Sequence, residues 1–209
     1  MSRSTVILLR HAEAEGNAER RFIGQHDVGL SPLGRRQAEA LTRRLMTMPV
    51  TRIVSSDLQR CLGTVEGFAA GAGLPIETDP RWREIANGQW GGLLADQIAE
   101  RWPDAWQRYR GGEDVDRPDG ERWADVRVRV VSAFEELADQ LTENDLVVVS
   151  THGGPGAIIA MWAAGLSGTA FGGPFGPLAN ASITTLTLPG PRLLGVNDVG
   201  HLPTDLLGT

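Results

Sequence analysis

The chain has 209 residues, 41% of them hydrophobic, which is enough for one well-buried core and short for two independent domains. Its 20 basic and 26 acidic residues give a formal charge of -6 with no basic run, which argues against a nucleic-acid-binding surface and leaves any anion to a few placed cations. Apolar stretches such as Leu146 to Val149 and Ala157 to Leu166 fall far below the ~20 residues needed to cross a bilayer. The N-terminal apolar segment ends at Arg10, too soon for a signal peptide. A soluble, cytoplasmic protein with no membrane partner is expected, and assembly into a homo-oligomer stays open. Cys61 is the only cysteine, so an internal disulfide and a cysteine metal cluster are excluded.

Val6 to Leu9 is a short, unbroken aliphatic run that suits a strand covered on both faces. Ser31 and Pro32 read as the N-cap and first position of a helix, with Leu33, Gln37, Ala38, Leu41, Leu45 and Met48 at helical spacing and Pro49 as its stop. Thr51 to Val54 forms a second strand. Asp57 to Phe68 reads as a helix stopped by Gly71 and Gly73, and Leu74 to Glu77 as a short third strand. From Gly88 to Gly120 the chain turns rich in Trp, Gly, Arg and Asp, which reads as an irregular cap with one short helix lying over a site. Glu121 to Leu141 is then a helix, Leu146 to Ser150 a strand and Gly156 to Leu166 a helix with an apolar face. The run from Phe171 to Pro177 reads as a loop, and Ser182 to Leu188 as a last strand at a sheet edge. Strands alternating with helices predict a single α/β domain over 1–209: a mostly parallel open sheet flanked by helices on both faces, with the cap of about 88–120 inserted in it.

In open α/β sheets, ligands bind beyond the carboxyl ends of the strands. Three predicted strands end just before Arg10-His11, Ser55-Ser56-Asp57-Leu58-Gln59-Arg60 and Thr151-His152-Gly153-Gly154. Two histidines and two arginines therefore meet on one rim. Guanidinium forks match phosphate oxygens and stay charged, and a neutral imidazole can act as nucleophile. The neighbouring arginines disfavour imidazolium and so keep His11 in its attacking form. Phosphoryl transfer needs little beyond this positioning and charge stabilisation.

Leu9-Arg10-His11-Ala12-Glu13, with Asn17 following, resembles the Arg-His-Gly signature of the histidine phosphatase (phosphoglycerate mutase-like) superfamily. Further similar motifs run in order along nearly the whole chain: Gly24 and Asp27, Leu30 to Gly34, Gln37-Ala38, Ser55 to Arg60 with Thr64, Arg83-Glu84-Ile85, Gly88 to Gly92, Gly120-Glu121, and Val149-Ser150 with His152-Gly153. The resemblance implies that His11 is the phosphorylated nucleophile. It implies further that Arg10, Asn17, Arg60 and His152 hold phosphate oxygens, that the backbone near Gly24 and Gln25 adds a donor, and that Glu84 gives a proton to the leaving alcohol. The absence of a metal-ligand motif predicts a metal-independent reaction, and no cofactor is expected. Three positions depart from the family pattern: Ala12 replaces the usual glycine, Ala14 a frequent hydroxyl residue, and Ile23 a frequent glutamine.

Other chemistries fit less well. Gly154-Pro155-Gly156 has Ile159 where a dinucleotide fingerprint needs its third glycine. Cys61 is followed six positions later by Gly67 rather than by the arginine of a cysteine phosphatase, and reads as a buried helix residue. No H-E-x-x-H or comparable metal-ligand pattern occurs. His26 and His201 read as structural, and the six tryptophans as core or cap packing by default. The expected function is hydrolysis of a small-molecule phosphate monoester through a phosphohistidine. The alternatives are a phosphoglycerate mutase-type phosphoryl transferase and a catalytically silent phosphoester-binding module. Resemblance to mutases implies a longer chain with a more basic cap, which favours the phosphatase. The cap residues Trp102, Trp106, Arg108, Tyr109 and Arg110 suit an anionic or sugar-like leaving group.

Overall fold

A computed structural model describes residues 3–167 and 173–208. Its centre is a six-stranded sheet in the order β3-β2-β4-β1-β5-β6. The strands are β1 (Ser4–Arg10), β2 (Arg52–Ser55), β3 (Ile76–Thr78), β4 (Leu146–Thr151), β5 (Ile183–Leu188) and β6 (Arg192–Asp198). The first four pair in parallel, and β5 and β6 join antiparallel beside β1. Helices α1 (Pro32–Leu45) and α2 (Gln59–Ala72) cover one face, and α5 (Trp123–Gln140) and α6 (Gly153–Ala163) the other.

Burial on both faces explains the unbroken apolar runs of the central strands. Val6, Leu8, Val147 and Val149 point into the core under α5 and α6, while Ile7, Leu9, Ile53 and Val148 point into the core under α1 and α2. Helix α1 begins as its sequence dictates: the Ser31 hydroxyl accepts from the Gly34 amide at 2.9 Å and Pro32 takes the first turn. Helix α2 passes through Gly71 and stops at Gly73, which takes the left-handed conformation (φ 67°) that a side chain would strain.

Three expectations require correction. The cap holds two helices, α3 (Ala95–Arg101) and α4 (Pro103–Arg110), where one was expected, because Pro103 opens the second helix instead of merely ending the first. Helix α6 starts at Gly153, directly after His152, rather than at Gly156. Strand β5 is not at the edge, since β6 pairs with it. That edge strand is mostly half-exposed and carries Gly195 beside a register irregularity, so it lacks the apolar alternation that would betray it. Of the expected 171–177 loop, 173–177 is irregular and the first two residues lie outside the described ones. No helix of the described residues is long and apolar enough to cross a membrane.

Candidate active site

Strand register assembles the site. Arg10 pairs with Thr151, and Ser55 with Ser150, so the chain leaves β1, β2 and β4 at one level of the sheet. The backbone bonds run on past the pairs, from His11 N to Thr151 O at 2.8 Å and from Ser56 N to Ser150 O at 2.8 Å. His11 and His152 follow adjacent parallel strands, and their rings meet edge to face with centroids 5.1 Å apart. Arg60 comes in from the first turn of α2.

His11 is buried, and its Nδ1 lies 2.7 Å from the carbonyl oxygen of Ala12. A carbonyl only accepts, so Nδ1 carries the proton and Nε2 keeps the lone pair. Burial first, then the Arg60 and Arg10 guanidinium charges, hold the imidazole pKa well below its ordinary value. The His11 ring is therefore held in its neutral form, with a free lone pair on Nε2. Ala12, where glycine was the family pattern, is wholly buried and is accommodated, with its amide donating to Thr64 Oγ1 at 2.9 Å.

A cavity of about 200 Å³ opens over His11 and is also lined by Arg10, Asn17, Gly24, Arg60 and Glu84. Four arginines, Arg10, Arg21, Arg60 and Arg117, share its wall with one carboxylate, Glu84, although the chain as a whole is acidic. Arg10 donates to the Leu178 carbonyl, and its buried Nε has no partner among the described residues. Arg60 is locked from three sides, donating to His152 Nδ1 at 3.3 Å, His26 O at 2.8 Å and Gly24 O at 2.6 Å. Asn17 Oδ1 accepts from the Ala14 amide at 2.8 Å, which turns the side chain back onto the His11 loop.

Glu84 is held by the backbone. Its Oε1 accepts from the Ile85 amide at 2.9 Å and its Oε2 from the Gly154 amide at 3.2 Å, near the start of α6. Arg129 of α5 clamps the segment that carries it, donating to the carbonyls of Arg81 and Arg83, both at 2.7 Å, and of Glu84 at 3.0 Å. Glu121 fixes Arg129 through two bonds of 2.8 and 2.9 Å and accepts the Ala86 amide at 2.8 Å. Its carboxyl sits below the usual carboxylate range: burial acts to raise it, and the Arg129 bonds, the Ala86 amide and the neighbouring guanidinium charges outweigh that.

Six of the eight expected site residues line the cavity, and Gln25 and His152 do not. The Gln25 side chain instead donates to the Glu84 carbonyl at 3.0 Å, so it braces the acid from behind. His152 is fully buried beneath His11. Because a guanidinium only donates, the Arg60 bond makes Nδ1 of His152 the acceptor and leaves the Nε2 proton for Ser56 Oγ at 2.9 Å. Burial and the same two arginines keep His152 neutral as well. Cys61, beside it, is buried and its thiol is pushed up to about 12 by desolvation, which makes it inert.

Among the cap residues expected near the leaving group, Tyr109 alone reaches the cavity. Trp102 and Trp106 pack with Trp90, Ile98, Tyr109 and Val115 in the aromatic core of the cap, behind the cavity wall, and Arg108 ion-pairs with Glu113 at 2.8 Å. His26 and His201 are likewise off the cavity wall. Sequence reasoning missed Arg117, Trp123 and Asn87, which do line it, and Arg129, which supports it. An Arg-Pro-Asp-Gly turn carries no signal of burial; only the packing of the cap reveals it.

The histidine phosphatase superfamily (branch 1) profile matches residues 6–198. The chain belongs to this superfamily. It is 35% identical over 150 residues to a probable phosphoglycerate mutase from Enterobacter sp. (strain 638), covering 71% of this chain and 69% of that one. It is also 35% identical over 169 residues to a glucosyl-3-phosphoglycerate phosphatase from Mycolicibacterium vanbaalenii, covering 78% and 74%. Among solved structures, the native mycobacterial glucosyl-3-phosphoglycerate phosphatase superposes with a TM-score of 0.81 at 31% identity, over 94% of this chain and 99% of that one. A histidine phosphatase fold therefore carries the site described above.

Proposed function

We propose that this histidine phosphatase superfamily member is a metal-independent phosphatase, hydrolysing a small phosphate monoester through a phosphohistidine on His11. The observation that carries the reading is a neutral imidazole, its Nε2 lone pair fixed by the Ala12 carbonyl, in a cavity with four guanidinium groups and one carboxylate. Nε2 attacks phosphorus as the ester P–O bond breaks, and Glu84 gives its proton to the departing alkoxide. Arg10 and Arg60 carry the charge on the transferring group. A water then attacks the phosphohistidine, Glu84 takes up its proton, and inorganic phosphate leaves with His11 restored. Arginine charge does here what a divalent ion does in metallophosphatases. The reading includes a cytoplasmic setting and a small-molecule ester as the partner.

Relatives named as phosphatases, one of them a phosphoserine phosphatase of Hydrogenobacter thermophilus at 34% identity, support hydrolysis beside the mutase names. The test is to mix enzyme briefly with a labelled ester and quench it. An acid-labile, base-stable label that is lost in His11→Ala is expected, with turnover unaffected by exhaustive chelation. Full activity in His11→Ala, or restoration by a divalent ion after chelation, would overturn the reading. Conversion of 3-phosphoglycerate to 2-phosphoglycerate without phosphate release would make it a mutase.

A further inference from the structure

The Arg10 guanidinium lines the cavity beside His11, yet among the described residues it makes a single hydrogen bond, from Nη1 to the Leu178 carbonyl. The direction in which this cation points therefore depends on where one carbonyl oxygen stands. That oxygen belongs to the segment between α6 and β5. The next residues of the same segment grip the His11 backbone, since Asn180 Nδ2 and the Ala181 amide both donate to the His11 carbonyl, at 3.1 and 3.2 Å.

The Leu178 carbonyl and the Ala179 N–H are two ends of one peptide unit, which is planar and trans, so that fixing the N–H fixes the carbonyl. The Ala179 amide donates to Oδ1 of Asn197 at 2.6 Å. A relay thus runs from Asn197 through one peptide plane to Arg10, and each bond polarises the next. Packing anchors only one end of that plane. The Leu178 side chain is buried against α6, where a methyl group added to Gly156 would stand 2.9 Å from its Cδ1, but this leaves the plane free to turn about the Cα. Residues 177–180 also border a second cavity of about 400 Å³ together with Arg10 and Asn17, so open space lies beside the plane.

The geometry of β6 delivers Asn197 to this task. Ile183 pairs with Asp198 and Thr185 with Gly195, so three steps of β6 face two of β5. Such a bulge re-aims a side chain out of the regular alternation of a strand. Asn197 takes the left-handed conformation (φ 57°), which asparagine tolerates better than most residues, and its own amide donates to Thr184 Oγ1 at 3.3 Å.

We propose that Asn197 is a positioning residue for phosphoryl binding: by holding the Leu178–Ala179 peptide plane it aims the Arg10 guanidinium into the cavity. The proposal deepens, and rests on, the phosphatase reading. Asn197 does not line the cavity, so it acts only through Arg10.

Asn197→Gly keeps the left-handed backbone and removes the acceptor, whereas Asn197→Asp keeps an acceptor oxygen. In isotopically labelled protein the Arg10 Nε–H signal, assigned by its absence in Arg10→Lys, should shift in Asn197→Gly and return to its wild-type position in Asn197→Asp. By calorimetry, inorganic phosphate should bind roughly tenfold more weakly to Asn197→Gly and within about twofold of wild type to Asn197→Asp. The kcat/KM of Asn197→Gly should fall by similar factors on alkyl and aryl phosphates, because the defect lies at the phosphoryl end and not at the leaving group. An unmoved Arg10 signal, an unchanged phosphate affinity in Asn197→Gly, or a loss that Asn197→Asp does not restore would overturn the proposal. If the wild type hydrolyses no ester, the phosphatase reading fails, while the NMR and phosphate-binding arms still decide the role of Asn197. If Asn197→Gly does not fold, Asn197→Ser, whose oxygen stops one bond short of the Ala179 amide, takes its place.

Discussion

The Glu84 carboxylate fills the space that Gly154 leaves by having no side chain. The Gly154 amide donates to Oε2 at 3.2 Å, and a methyl group added there would stand 2.5 Å from Oε1 and 2.5 Å from the Trp123 ring. Such approaches are far inside van der Waals contact, so either the acid or the ring must move. Gly154→Ala, though favourable for helix α6, should therefore displace the acid, and misplacement of about 1 Å costs on the order of 10²-fold in rate. Steady-state kinetics on an alkyl phosphate would show this drop, and an unchanged kcat/KM would remove Gly154 from the support of the acid.

Glu84→Gln tests the proposed proton donor separately from the proposed nucleophile. Poor leaving groups such as alkyl phosphates should slow by roughly the 10²–10⁴ of general acid catalysis. Aryl phosphates leave as weak bases and should slow much less, because His11, Arg10 and Arg60 remain in place. Single-turnover rates make the comparison free of dephosphorylation of His11. Equal losses on both substrates would mean that Glu84 orients the site and that the proton comes from another group.

Arg129 ties α5 to the Glu84 segment through three carbonyls and one carboxylate. Its side chain and that of Glu121 are 19% and 24% exposed. Arg129→Met should leave Glu121 without its partner and cost roughly 2–4 kcal/mol. For a chain of this size each kcal/mol is about 2–4 °C, so Tm should fall by at least about 4 °C. The activity deficit should be larger with alkyl than with aryl esters, as for Glu84→Gln. A stability loss with no such leaving-group bias would confine Arg129 to holding the fold.

Both buried histidines are held neutral, which ties stability to pH. Each binds its proton in the unfolded chain near the ordinary value of about 6.5, and in the folded chain only at a much lower pH. The unfolded state thus takes up more protons as pH falls below about 6.5, so the contribution is complete above that pH and is lost progressively beneath it. Denaturant melts at pH 7.5 and 5.5 should show lower stability at 5.5, with the difference reduced in a variant carrying His11→Gln. The acid limb of kcat/KM should likewise lie well below 6.5. A limb near 6.5 would mean that His11 is not desolvated in the free enzyme.

Most local elements, and the motifs that bring the two histidines and two arginines to one rim of the sheet, were legible in the sequence because each is written in neighbouring residues. Ser31 and Pro32 cap a helix through their own hydroxyl and ring, the double-faced burial of β1 and β4 appears as unbroken apolar runs, and Arg10, His11, Arg60, Glu84 and His152 sit in short motifs after strands or turns. What the sequence could not reveal depended on residues distant along the chain. The register of β1 against β4 and of β4 against β2 decided that the two histidines meet. The packing of the cap decided that Tyr109 and Arg117, rather than Trp102, Trp106, Arg108 or Arg110, face the cavity. Gln25 and Arg129 act as braces only because their partners, 59 and 45 residues away, fold against them. Residue types limit which chemistry a side chain can perform, whereas burial and partners assign the work, and those are set by tertiary contacts that no local pattern encodes.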